Sequence, residues 1–417
     1  MSEKIRPHLV FADDEGNIYD HPHLLMLVRR GKEWGLPRPD ELIELPPESS
    51  LYLLPKRRAL GLDPDSGQVE VLEENAVAAF VSPGYTLSGV CAFLEENPQK
   101  PLPLFAYGAV GFYQDKFYVA AKKVDKDQRQ VFLNIPKEKI AQGARKLLQL
   151  LPQNRLIQHL TRCALTYSCP AAKNLALGRF EAPLPTAQRC NARCIGCISL
   201  QPEDSGFPAT QKRISFRPKP QEIAEVMEIH AKRAKNPIFS FGQGCEGDPL
   251  TEWKIITKAI TLYRKKKGHG TININTNGSI PEAVEPLARA GLTSFRISLN
   301  SAQEQYYLPY YRPNYSFAQV LETIKEAKKH NLFVSLNYLF FPGFNDTEQE
   351  TEALLDLLKT YQVDFIQLRN LNLDPNLYLN LFPQFNSPSL GLHNFLKRIK
   401  KECPWIKFGY FNPYLGN

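Results

Sequence analysis

The sequence predicts an α/β protein: a partial (β/α)6, TIM-like barrel preceded by a β-rich region. Three observations carry this. From about residue 182 onward, short apolar runs alternate with amphipathic stretches, the pattern of a parallel sheet with crossover helices. Before about residue 130 the apolar runs are short and separated by turn signals, as in hairpins. The unusual residues of the chain, clustered cysteines, glycines and carboxylates, fall just after the apolar runs, at the strand ends where barrels carry their sites.

The elements follow in order. Turn signals at 13–17 (DDEGN), 63–67 (DPDSG) and 114–116 (QDK) punctuate residues 1–130, a β-rich N-terminal domain. A connector at 131–181 holds a helical pair at about 136–165, where KEKIAQGARKLLQLL and NRLIQHLTRCAL place apolar residues three and four apart. From Ser168 to Gln188 the expectation is irregular chain, broken by Pro170, Pro183 and Pro185. The barrel, 182–375, has candidate strands at 236–242, 271–276, 294–299, 332–339 and 363–369. Helical stretches lie at about 220–234, 250–267, 280–290, 316–330 and 347–361. The segment leading into Cys190 makes the sixth unit. A closing segment, 376–417, has one short helix near 391–402.

Composition sets the bounds. With 417 residues, 43% of them hydrophobic, the chain can bury a sizeable core. It has 51 Lys+Arg against 43 Asp+Glu, a net charge of +8, which permits anionic substrates or RNA without requiring them. The dense run Arg264–Lys265–Lys266–Lys267 ends an expected helix, where cations suit the dipole. No run reaches the roughly 18 apolar residues of a membrane span, and the start carries acidic residues in place of an apolar leader. A cytoplasmic protein with no membrane partner is expected. Eight unevenly spread cysteines suit reduced, metal-binding thiols better than a disulfide framework.

Cys190, Cys194 and Cys197, in CNARCIGC, are the most informative residues. Three thiolates this close suit an iron–sulfur cluster with one iron left open for a ligand. The plainer reading is a structural zinc site, although no second cysteine knuckle or finger-spaced histidine accompanies them. On that reading the chain is a non-catalytic metal- or RNA-binding protein on a degenerate barrel.

Further motifs recur at successive strand ends: GQGCEGDPL at 242–250, TNG at 276–278, RISLNS at 296–301, YYRP at 310–313, and Ser335, Asn337 and Tyr338 running into FPGFND at 341–346. In this order, over about 182–375, the chain resembles the radical S-adenosylmethionine (SAM) superfamily. The subgroup it resembles is that of the molybdenum cofactor biosynthesis protein A. The resemblance implies a [4Fe–4S] cluster on Cys190, Cys194 and Cys197, with the amino and carboxylate groups of SAM on the fourth iron. It implies an oxygen-sensitive enzyme that cleaves SAM reductively to a 5′-deoxyadenosyl radical acting on a substrate. Asp248 would receive the methionyl ammonium, with Glu246 the alternative. Ser298 and Asn300 match positions that contact ribose or carboxylate, and Gly244, Gly247, Asn277 and Asn337 complete the expected cofactor-binding set. An electron donor such as ferredoxin or flavodoxin is implied; the substrate is a small molecule, RNA or a peptide. Two positions depart from the family pattern: Gly196 replaces an aromatic near the adenine, leaving that contact to Ile195 or Gln367, and Asp248 stands where Glu is usual.

Cys163 and Cys169 are candidates for a second metal site, with Cys245 or His159, or are simply buried thiols. Tyr306, Tyr307, Tyr310 and Tyr311, with Arg312, line the substrate cavity, cover the outside of the barrel or fix a loop. By strand position Asn337 and Arg369 face inward, and Arg369 holds an anionic substrate group or an ion pair. The N-terminal region matches no family. It is a recognition module, a lid, or a docking site for an electron donor.

Overall fold

The computed structural model describes residues 5–96 and 100–416; residues 1–4, part of the acidic start read above, lie outside them. Seven parallel strands form one sheet in sequential order: Glu181–Pro183, Ile238–Phe241, Thr271–Thr276, Ser294–Leu299, Phe333–Phe340, Phe365–Asn370 and Lys407–Gly409. The third and fourth occupy the residues the pattern gives. Crossover helices Pro220–Ala231, Trp253–Lys265, Val284–Ala290, Phe317–Lys329 and Glu348–Tyr361 follow strand by strand. Sequential order with helical crossovers curls the sheet into a half-barrel.

Burial explains why these strands read clearly. Thr271–Thr276 is buried at every position, as expected for a strand covered on both faces. Its two asparagines are satisfied internally: Asn273 donates to Asn275 Oδ1 at 2.6 Å, and Asn275 donates to Phe241 O at 2.8 Å. Arg264, in the basic run, donates to the carbonyls of Gly268, Gly270 and Gly291, which is a structural use of that charge.

Twelve strands between His8 and Lys123 pair antiparallel in the N-terminal region. Turns fall at the three expected places, between His8–Ala12 and Ile18–Met26, between Ser50–Leu62 and Val69–Phe80, and between Gly108–Tyr113 and Lys116–Lys123. This region packs on the sixth parallel strand. Thr86 donates to Leu368 O at 2.9 Å, and Asn370 donates to Tyr85 O at 3.0 Å. Gly31 N donates to Pro342 O at 2.8 Å, and a Cβ on Gly343 would meet Gly31 N at 1.9 Å, so only glycine permits this approach. One buried cluster runs from Val10 to Ile406, joining both sheets.

Three elements differ from the sequence reading. Ser168–Gln188 is not irregular throughout: it contains a helix, Pro170–Leu177, and the first parallel strand. Pro170 sits at the first helical position, where its missing N–H costs nothing, and Gly178 ends the helix left-handed. A helix at Glu304–Tyr311 carries the tyrosines. A seventh strand, Lys407–Gly409, joins the sheet beyond the six units expected. No helix among the described residues is long and apolar enough to cross a membrane.

Candidate active site at the strand ends

Two loops meet at the C-terminal edge of the half-barrel. The first, following Pro183, carries Cys190, Cys194 and Cys197, all half-buried and free. It is pinned from the other side of the cleft: Arg193 N and Ile195 N donate to the carbonyls of Tyr311 and Tyr310 at 3.0 and 3.1 Å, and Ala192 bridges Pro313. The YYRP segment is therefore the clamp of the cysteine loop. Gln201 closes the loop from within, donating to Ile195 O and Cys197 O at 2.9 and 2.7 Å.

The second loop, Gly242–Leu250, is built around Glu246. Its Oε2 accepts from the backbone N–H groups of Thr186 and Ala187 at 2.7 and 2.9 Å, and its Oε1 from Gly242 and Gln243 at 2.7 Å each. Burial pushes this carboxyl up to about 7, against those four donors. Four N–H groups occupy its carboxylate, so Glu246 fastens the two loops while also lining the cavity that holds the three cysteines. Gly247 lies where a Cβ would sit 1.9 Å from Arg189 O, and Gly242 has φ +77 with Asn275 O 1.8 Å from its would-be Cβ.

Asp248 is differently placed. Oδ1 accepts from Thr276 Oγ1 at 2.7 Å and Leu250 N at 3.0 Å, while Oδ2 accepts only from Asn277 N at 2.7 Å. One acceptor position remains. Burial pushes Asp248 up to about 6. Gly244, Gly247, Asp248, Asn277, Ser298 and Asn337 line one cavity of ≈ 250 Å³ with the three cysteines. Asn337 donates to Ser298 Oγ at 3.1 Å, and Asn277 donates to Asn191 Oδ1 at 2.8 Å. Asn300 does not join them. It is fully buried, donates to Tyr306 O and Tyr378 Oη, and accepts at its backbone carbonyl from Asn345, so it braces the barrel wall.

The tyrosines divide. Tyr310 and Tyr311 line the cavity, whereas Tyr306 packs edge-on to Phe344, Phe382 and Phe385, and Tyr307 bonds Tyr315 at 2.8 Å. A Cβ on Gly196 would lie 2.6 Å from Tyr310 Oη. The space of an aromatic at position 196 is thus occupied by Tyr310 from the opposite side. Gln367 is fully buried and bonded to Arg296 and Asn412, so it is corrected as an adenine contact.

A second cavity of ≈ 320 Å³ shares Gly196, Gly242, Gly244, Arg296, Tyr310 and Asn337 with the first and extends to Arg369, Asn370 and Asn412. Arg296 donates to Gln367 Oε1 at 2.5 Å, and its Nε has no partner. Burial, with Arg369 nearby, pushes Arg296 down to about 9, still cationic at neutral pH. Arg369 stacks 3.9 Å from the centre of the Tyr410 ring and donates to Tyr410 O at 3.1 Å. Glu181, the carboxylate in this cavity, is already bonded to Asn412 at 2.8 Å. Sequence reasoning missed Arg296, although strand period two puts it on the same face as Ser298. It also missed Arg213, whose Nη2 lies 3.7 Å from Cys197 Sγ and 3.1 Å from Ser199 Oγ. No sequence signal marked that residue.

The donor set can be tested against the metal it suits. Around one tetrahedral zinc, thiolates lie about 3.8 Å apart. The Sγ atoms of Cys190, Cys194 and Cys197 are not all within 4.8 Å of one another, unlike those of tighter groups elsewhere in the chain. That spread suits ligands to separate irons of one cluster. Burial pushes the Cys190 thiol up to about 11 and Cys194 well above its ordinary value, so loading displaces protons.

The radical SAM superfamily profile matches residues 184–358. The chain carries a radical SAM domain. Superfamily members are enzymes that use a [4Fe–4S] cluster and SAM, and they need a reductant and a substrate. Among curated proteins, this domain is similar to a probable dual-specificity RNA methyltransferase RlmN of Fervidobacterium nodosum. The two are 27% identical over 223 residues, 51% of this chain and 56% of that protein. It is also similar to a probable GTP 3′,8-cyclase of Thermococcus kodakarensis, 30% identical over 176 residues, 41% of this chain and 52% of that one. The matches span about half the length of those relatives. Of the solved structures, a radical SAM methyltransferase from Sphaerobacter thermophilus aligns with TM-score 0.39 and 16% identity over 56% of this chain and 67% of that one.

Proposed function

We propose that Cys190, Cys194 and Cys197 hold a [4Fe–4S] cluster and that SAM occupies the cavity they share with Asp248, beside a second cavity that takes an anionic substrate. The carrying observation is the common wall: Gly196, Gly242, Gly244, Tyr310 and Asn337 line both cavities. A cluster on these thiolates would supply the electron for reductive cleavage of SAM and so radical chemistry at a substrate C–H bond.

The chain's own residues do the rest. Asp248 offers its free acceptor position to the methionyl ammonium, a charge-assisted bond. Asn277, Ser298 and Asn337 present polar groups to the remaining polar atoms of SAM, and Tyr310 supplies the adenine contact that Gly196 lacks. Arg213 places its guanidinium 3.7 Å from Cys197 Sγ. Arg296 and Arg369 repel one another more than the Glu181 carboxylate offsets, so a phosphate or carboxylate between them relieves the repulsion. Among the activities named for the relatives, two arginines against one carboxylate suit a small nucleotide-like or carboxylate substrate better than RNA. A ferredoxin- or flavodoxin-like donor in a cytoplasmic setting completes the reading.

Anaerobic reconstitution tests it. The expected result is iron–sulfur absorption near ~400 nm and dithionite-dependent release of 5′-deoxyadenosine, faster with small anionic metabolites than without. Zinc held by this trio, with no SAM cleavage, selects the non-catalytic reading instead. Acceleration by RNA fragments alone removes the small-anion assignment.

A further inference from the structure

A second thiol site lies on the far side of the Gly242–Leu250 loop. His159 and Cys163 stand one turn apart on the helix Arg155–Leu165, and Cys245 reaches them from the loop. All three are buried, and their ligand atoms lie within 4.8 Å of one another. His159 Nε2 and Cys163 Sγ are 3.4 Å apart. The corresponding edge of a tetrahedral zinc site, from bonds of about 2.05 and 2.3 Å, is about 3.6 Å. Cys169, at the start of the helix Pro170–Leu177, packs against the cluster of Cys163, Ala164 and Ala172, outside the convergent group.

We propose that His159, Cys163 and Cys245 bind a zinc ion as its three protein ligands. The donor chemistry selects the metal: imidazole with thiolates and no oxygen ligand suits zinc and excludes magnesium or calcium. The compactness selects one ion, because thiols on separate irons of a cluster stand wider apart. Ligation requires thiolates, so binding releases the thiol protons to solvent. No electron transfer is involved.

The consequence is mechanical. Zinc would tie the helix Arg155–Leu165 to the loop that carries Asp248, three residues beyond Cys245, and so hold the SAM cavity from behind. The site does not depend on the SAM reading, since its metal content is measured separately.

The test is elemental analysis of the full chain purified anaerobically from zinc-supplemented cells. About one zinc per chain is expected. Cys163→Ser and Cys245→Ser should each lose at least about nine-tenths of it while retaining the iron of the Cys190 trio. The Cys190→Ala/Cys194→Ala/Cys197→Ala variant should lose the iron and retain the zinc. If the serine variants misfold, zinc-edge X-ray absorption of the wild type decides, with sulfur near ~2.3 Å and nitrogen near ~2.0 Å expected. No zinc after loading, zinc that disappears with the trio, iron retained in the trio variant, an all-oxygen and nitrogen shell, or a Cys163–Cys245 disulfide in the anaerobic protein each overturns the proposal.

Discussion

The two thiol clusters flank one loop and differ in spacing. Cys190, Cys194 and Cys197 spread around an open cavity, whereas His159, Cys163 and Cys245 close on a point inside buried packing. Residue type barely separates them, since both are rich in cysteine. Distance does, because ligands to one ion must converge while ligands to a cluster must not. Exposure follows the same division: the wide trio faces a cavity large enough for a ligand, and the tight triad faces other side chains.

That contrast can be broken at several points, beginning with the largest effect. Gly242→Ala puts a Cβ 1.8 Å from Asn275 O at φ +77, so it should destabilise the shared loop by about 3 kcal/mol or more. Both metals should fall together, and loss of iron alone would show that the loop does not brace the triad. Asp248→Asn should act on one side only, weakening SAM binding by about 10- to 100-fold with zinc unchanged, as read by equilibrium dialysis and elemental analysis.

Proton binding sharpens the same distinction. Asp248 must be ionised to accept an ammonium, and burial raises it to about 6, so SAM affinity should hold above that pH and decline as pH falls through it. Asp248→Asn should flatten this part of the profile. The smallest effect is expected from Tyr310→Leu, about fivefold on SAM affinity, with iron and zinc both retained. A Tyr310 variant that binds SAM normally would remove its assignment as the replacement for an aromatic at Gly196.

TININT was legible because it is buried on both faces, and SFRISL because its buried apolar residues alternate with Arg296 and Ser298 on the cavity side. Pro170 misled because the same ring that stops a helix also starts one, and only the chain's direction relative to Cys169 decides. The helix Glu304–Tyr311 has tyrosines on several sides and Pro309 within it, so it shows no apolar periodicity. In the site, the spacing of the cysteine trio marked residues that line one cavity. Asn300 was misread because its position after the fourth strand does not reveal that it turns into the wall. The pairing of Gly196 with Tyr310 and of Cys163 with Cys245 arises between distant segments. No local pattern encodes either contact.

Glu246 has a further consequence. Its carboxylate gathers N–H groups from Thr186, Ala187, Gly242 and Gln243. One side chain therefore staples the segment before the cysteine loop to the loop that carries Asp248. Part of the entropy of ordering the proposed socket is thereby spent during folding rather than on loading.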